Sequence, residues 1–402
     1  MATAALPTSA HQPGRTEYVR LAQVIGVLFV GYLIIGIPLP VLPLHVHRDL
    51  GFGPFMVGVV AGAQFAASLC SRMFAGRFTD TRGPKSAFVV GLLLTGASGL
   101  LYLASLPFVA QPGLSVSLLL LGRVLLGFGE SFIVTGALGW GLMLLGPQAA
   151  GKAMSWLGTS LYAAFAIGAP VGTTLYGRLG FSAVAIATII IPFVALALVA
   201  PMRGVTPPPP APAGLRKVLG VVWLPGTALA LSGVGFSAIM TFAALLYASR
   251  HWSPAWLAFT ALSVAFIFGR GVLGHLPDRL GGVRVALACM VVEAVGQALI
   301  WFAPNAAVAL AGVTITGLGY SLVYPGLGAQ VVRAAPPQSR ALALGAYTAF
   351  LDVSLGFSGP LLGLVATGRE LISVYAVSTF VVLASAALAL WMLRRTPTPS
   401  ER

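Results

Sequence analysis

Residues 76–85 read Gly76-Arg77-Phe78-Thr79-Asp80-Thr81-Arg82-Gly83-Pro84-Lys85, and residues 274–284 read Gly274-His275-Leu276-Pro277-Asp278-Arg279-Leu280-Gly281-Gly282-Val283-Arg284. Gly, Asp and Gly recur at the same spacing, with Arg72 and Arg270 at matching places before them. A second alignment sets Gly122, Gly127, Gly129 and Ser131 on Gly312, Gly317, Gly319 and Ser321, and Pro170 on Pro360. Self-similarity of this kind decides architecture before any local signal does. Whatever the first half of the chain folds into, the second half folds into again.

Each copied stretch follows an apolar run long enough to cross a bilayer, for which roughly 20 residues suffice. Such runs cover 21–43, 54–74, 86–106, 114–137, 152–175 and 181–201, then 219–248, 255–274, 284–303, 306–332, 341–366 and 372–393. The pattern predicts an all-α membrane protein with about twelve transmembrane helices in two pseudo-symmetric six-helix bundles. Composition agrees: 8% of the 402 residues are charged and 58% hydrophobic, where soluble domains carry roughly 25% charged residues. A proline-rich stretch through Pro207–Pro210 favours extended backbone. The expected organisation is therefore an N-terminal bundle over 1–201, a cytoplasmic linker over 202–218 and a C-terminal bundle over 219–402.

A net charge of +14 would suggest a nucleic-acid partner if the basic residues were clustered on a soluble surface. Their placement points to lipid instead. With the N-terminus in the cytoplasm, only Arg48, Arg178, Arg250 and Arg369 of the 23 Lys and Arg fall outside, and Arg123 lies within a span. That is the positive-inside distribution, with both termini cytoplasmic. Residues 1–19 have no apolar core before a small-residue cleavage site, so the first span is expected to act as the insertion signal. Cys70 and Cys289 fall in apolar runs, away from disulfide chemistry, and read as small core residues. Gly146 to Ala153 nearly spells a phosphate-binding loop, but Ala153 replaces the required hydroxyl and no strand precedes it. Neither a metal site nor a cofactor is expected, and no His-rich or Cys-x-x-Cys cluster supports a membrane-embedded enzyme.

Residues 76–85 resemble the loop signature of the major facilitator superfamily, departing from it at Thr81 and Pro84, while the second copy keeps Arg279 after Asp278. Arg123-Val-Leu-Leu-Gly127-Phe-Gly129 resembles a motif of proton-coupled members. Gly168-Ala-Pro170-Val-Gly172 and Gly359-Pro360-Leu-Leu-Gly363 resemble weakened antiporter Gly-Pro motifs. With Ser321–Pro325 and Tyr347–Gly356, the chain as a whole is similar to drug/proton antiporter relatives and to the bacterial arabinose-efflux-permease-like group. The resemblance implies two bundles around a central cavity that opens to either side in turn. It further implies a secondary transporter of a bacterial inner membrane, acting as a monomer on a small-molecule substrate (sugar-like, drug-like or a metabolite) and on protons. Export is the expected direction; uptake and a non-transporting sensor stay open.

Gly76, Gly83, Gly274 and Gly281 permit tight loops, and Lys85 and Arg279 complete the two motifs. The resemblance implies that Asp80 caps the start of helix eleven near Arg340 and Asp278 that of helix five near Lys152, as gates; a plain cytoplasmic turn is the other reading. Charged residues within spans default to function, which singles out Arg123, Glu130, Glu293 and Asp352. Arg123 and Glu130 share one face of helix four, with the small Gly127 between them leaving room for a solute or for a partner helix. The matching stripe of helix ten carries Tyr320 and Tyr324, which with Tyr162 would line a cavity for an amphipathic or hydroxylated solute, or simply pack. Asp352, the one acid in helix eleven, is expected to carry the coupling proton or to make a structural hydrogen bond. Glu293 would couple too, or brace a neighbouring helix. His45 and His47 would sense external pH or sit in an exposed loop, and the pairs Gly58/Gly62, Gly168/Gly172 and Gly359/Gly363 would allow close helix approach.

Overall fold

The computed structural model describes residues 15–145, 150–204, 215–335 and 340–395. Among these residues every regular element is helical. The first half runs α1 (Arg15–Gly36), α2 (Pro54–Arg82), α3 (Pro84–Ser105), α4 (Pro112–Leu145), α5 (Ala150–Leu179) and α6 (Phe181–Val199). The second runs α7 (Leu215–Ser249), α8 (Trp256–Leu273), α9 (Gly282–Trp301), α10a and α10b (Ala306–Tyr320 and Val323–Ala334), α11 (Arg340–Ala366) and α12 (Ser373–Arg395). Ten of the described helices are long and apolar enough to cross a membrane, counting α10a and α10b together; α1 and α5 complete the two sets of six. Large apolar side chains such as Leu100, Phe193, Phe268, Phe357 and Phe380 are exposed around the bundle, a surface that only lipid would cover without penalty.

Proline and glycine set the helix ends. Pro54, Pro84 and Pro112 begin α2, α3 and α4, at the position where a missing N–H costs nothing. The first motif is mostly helix rather than loop. α2 continues through Gly76 and Asp80 to Arg82, and the turn into α3 is made at Gly83, whose φ of +87° suits a residue without a side chain,. The second copy differs: α8 stops at Leu273 and residues Leu276–Leu280 form a separate short helix before Gly281, at φ +91°. Pro277 stands where the first copy has Thr79, and a proline ring collides with the carbonyl four residues earlier, which ends α8. Pro325 likewise lies just after the break between α10a and α10b. α7 starts at Leu215, inside the stretch read as linker, and residues 205–214 lie outside the described part.

Because successive long helices run in opposite directions, the ends of α6 and α12 and the starts of α1 and α7 share one face, here the terminal face. The halves meet through α2 against α11 and α5 against α8. Near the opposite face the α2–α11 contact is backbone on backbone: a side chain at Gly58 would strike the Gly359 carbonyl, one at Gly62 the Gly356 carbonyl, and one at Gly363 the main chain of Pro54 and Phe55. Gly76 lies eighteen residues from Gly58, and Gly345 eighteen from Gly363, which is five turns at roughly 3.6 residues per turn. They therefore sit on the same helix faces, yet nothing lies within 4 Å of a side chain built at either. The halves touch at the opposite face and part toward the terminal face.

Candidate functional site

The seam between α2 and α11 carries charge where the helices begin to part. Arg72 of α2 donates from Nε to Asp352 Oδ2 of α11 at 2.7 Å, and a terminal nitrogen of the same guanidinium pairs with the same oxygen. The Asp352 side chain is 8% exposed and that of Arg72 21%, so the pair is shielded but reachable from the open side. Earlier on α2, Gln64 donates to Glu130 of α4 at 2.6 Å. Earlier still, Arg123 of α4 donates to the carbonyls of Val60 and Ala61 at 3.0 and 3.1 Å. Positions 60, 64, 68 and 72 recur every four residues and so share a helix face. α2 thus presents one polar track, served by α4 at one end and by α11 at the other. Tyr32 of α1 lies within electrostatic reach of both Glu130 and Arg72.

The α5–α8 side of the seam is aromatic. Tyr162 stacks on Phe266 with ring centroids 3.5 Å apart, Phe236 of α7 stacks on Tyr320 at 5.0 Å, and the Arg270 guanidinium stands 4.9 Å above the Phe266 ring. Tyr324 and Thr348 share a hydrogen bond of 2.7 Å, and the Tyr347 hydroxyl donates to the Tyr324 carbonyl at 3.0 Å.

Several expected roles shift. Gly127 lines no cavity: a side chain there would strike the Gln64 carbonyl, so its smallness serves the contact of α4 with α2. Tyr162 and Tyr320 are buried among aromatic rings rather than spread around an open space. Lys85 donates to the carbonyls of Ala200 and Met202 at 2.9 and 2.6 Å, the cap residue of α6 and the turn that follows it, where basic groups favour a helix end. Asp80, Asp278 and Arg279 are exposed, and no hydrogen bond or ion pair to them occurs among the described residues, while residues 146–149 and 336–339, next to the helix starts they were expected to cap, lie outside the described part. The Lys152 side chain lies outside the described part. Gly76 and Gly274 adopt ordinary helical backbone, so of the four loop glycines only Gly83 and Gly281 use their freedom.

Glu293 of α9 is fully buried and accepts from Ser232 of α7 at 2.5 Å, while Gln297 donates to the Gly235 carbonyl at 3.0 Å. This ties α9 to α7 and does not join the Arg72–Asp352 pair. His45, expected in an exposed loop if not a sensor, is 2% exposed, stacked on Phe181 with centroids 3.9 Å apart and bonded to Asp49 at 2.6 Å. His47 is the exposed one. Cys70 is exposed rather than core, and Cys289 partly so. Arg72, Arg270 and Gln64 were absent from the sequence-derived site. Both arginines lie inside the apolar runs 54–74 and 255–274, and their repeat pairing singles them out.

Two repeat-related bundles that touch at one face and part toward the other have the architecture of a membrane transporter rather than an enzyme. The Major Facilitator Superfamily model matches residues 24–281 and again 226–402, and the chain belongs to that superfamily. An uncharacterised MFS-type transporter of Salmonella typhimurium is 41% identical over 386 residues, covering 95% of this chain and 100% of the relative. The uncharacterised MFS-type transporter YhhS of Escherichia coli is 40% identical over 378 residues, covering 94% and 93%. Among solved structures, the human organic anion transporter MFSD10 superposes with a TM-score of 0.65 at 15% identity, covering 94% of this chain and 100% of that one. A bacterial homologue of the human lysosomal transporter Spinster superposes with 0.67 at 13%, covering 96% and 99%. These structural likenesses speak for the fold.

Proposed function

We propose that the protein exports a small organic solute from a bacterial cell in exchange for protons, with Asp352 as the proton carrier and the terminal face in the cytoplasm. The observation that carries this is the Arg72–Asp352 pair, one residue from each half, between the close glycine contacts at Gly58 and Gly62 and the open space at Gly76 and Gly345. A proton on Asp352 removes the charge that holds Arg72, loosening α2 from α11. A departing proton restores the link. Charge inside a span is costly and is satisfied by pairing, so the pair has two defined states, each suited to a different arrangement of the halves. Glu130, held by Gln64 two turns away, is the next group able to take a proton, with Arg123 within electrostatic reach of it. The positive-inside distribution supports the orientation, and the Gly-Pro motifs of α5 and α11 support export.

The test uses the full chain in liposomes with an imposed pH gradient, screened against labelled sugars, drug-like compounds and metabolites. Accumulation of one solute class that collapses when a protonophore is added is expected. Solute movement that ignores the gradient would remove proton coupling from the proposal.

A further inference from the structure

Arg72 and Arg270 are the same residue of the internal repeat, one in each half, yet only Arg72 has a carboxylate beside it. Among the described residues Arg270 has neither an ion pair nor a hydrogen bond. The ionisable groups within electrostatic reach of its guanidinium are the hydroxyls of Tyr162, Tyr320 and Tyr324, with no acid among them. It reaches from α8 to the other half, where a side chain built at Gly158 of α5 would run into it. It rests over Phe266, a contact that steadies a cation without neutralising it. Beside it, the Tyr320 hydroxyl is buried without a partner. A charge set within a membrane span is expensive unless something answers it, and a buried hydroxyl without a partner adds to that cost. Glu293, the acid within electrostatic reach of Tyr320, takes the Ser232 hydroxyl at one oxygen and keeps the other buried without a partner, and it does not bond the tyrosine.

We infer that the solute is an organic anion whose charge pairs with Arg270 while the Tyr320 hydroxyl donates to it and its body lies against the edge of the stacked Phe266–Tyr162 pair. The inference rests on the transport reading of the same seam. A guanidinium offers two parallel donors that fit a carboxylate or a phosphonate equally. The expected ligand therefore joins such a group to a flat or apolar body.

Equilibrium binding to the purified full-length protein, with no gradient present, tests this apart from coupling. The probes are benzoate, 4-hydroxyphenylacetate and phenylphosphonate, the two carboxylates each paired with its neutral amide, read by tryptophan fluorescence. At least one anion should bind wild type in preference, a carboxylate over its own amide or phenylphosphonate over both amides, and bind R270Q ten- to a hundredfold more weakly, on the order expected for a charge-assisted contact. R270K should fall between, and Y320F, which keeps the ring, should lose several-fold. If R270Q does not accumulate as folded protein, R270K and Y320F carry the comparison. The inference is overturned if no anion is preferred over the amides, or if these variants bind the anions as wild type does. Gradient-independent movement of a bound anion would sink proton coupling and leave the anion site standing, whereas gradient-driven accumulation of a neutral solute by R270Q would do the reverse.

Discussion

Arg72 and Asp352 stand 280 residues apart in the chain and meet at a single carboxylate oxygen. On one side of them, Gly58 and Gly62 press against Gly359 and Gly356. On the other, Gly76 and Gly345 face open space. The pair therefore marks the line along which two otherwise intact bundles can separate.

Asp352→Asn keeps the side-chain shape and removes the titratable group. Solute exchange without a gradient should persist, while accumulation driven by an imposed pH gradient should fall to the level of protein-free liposomes. Loss of both activities together would mark Asp352 as structural, and Glu130 would then be the residue to replace.

Removing one partner of a shielded ion pair strands the other, at a cost of about 3–5 kcal/mol when the pair is fully buried. Arg72 is partly exposed, so Arg72→Gln should lose stability toward the lower end of that range. The double variant Arg72→Gln/Asp352→Asn should recover most of it. Thermal unfolding of the detergent-solubilised proteins reads both, and a double variant no more stable than the single would show that the two residues do not act as a pair.

The backbone seal at Gly58 should be sensitive to a single added side chain. In a background lacking Cys70 and Cys289, cysteines placed at Gly76 and Gly345 should react with a reagent confined to the terminal-face side. Adding Gly58→Val should cut that labelling several-fold, because α2 and α11 can no longer close at the opposite face. Unchanged labelling would mean that the seal lies elsewhere.

His45 belongs to the short turn beyond α1, outside the spans, and burial holds its imidazole below the usual value, with Asp49 opposing the shift. Tyr176 donates to Asp49 at 2.8 Å, and Phe181 covers the ring. The folded state thus favours neutral His45. Its contribution is complete above about pH 6.5, the ordinary imidazole value, and is lost as pH falls through the lower folded value, because the unfolded chain takes up the proton first. Wild type should lose more thermal stability than His45→Gln between about pH 7.5 and pH 5. Equal losses would assign the pH sensitivity to other groups.

The all-helical, doubled architecture could be read from apolar run lengths and the copied motifs, since both depend on lipid thickness and on local backbone. The site was legible only where a charge sat deep within an unmistakable span, as with Asp352, Glu130 and Arg123. Their partners were not, because pairing between α2 and α11 is a tertiary fact with no sequence spacing to announce it. Arg72 and Arg270 lie within the apolar runs but stand just before a motif whose Gly, Asp and basic residues read as a cytoplasmic turn, and nothing in the spacing tells a span arginine from a loop arginine there. The bonds of Lys85 were not legible for the related reason that its targets, the carbonyls of Ala200 and Met202, follow a distant helix end. Gly127 was legible as small, but whether a small residue admits a ligand or a neighbouring helix depends on what stands opposite.

The contact of Gly58 with Gly359 also bears on leakage. A carrier driven by an ion gradient squanders that gradient if water ever threads both mouths at once. Main chain set against main chain, with no side chains between, leaves no channel wide enough for a file of water while the other mouth is open. Insulation here comes from atoms that are missing, so a single methyl group at this crossing would hold the two main chains apart and admit water between them.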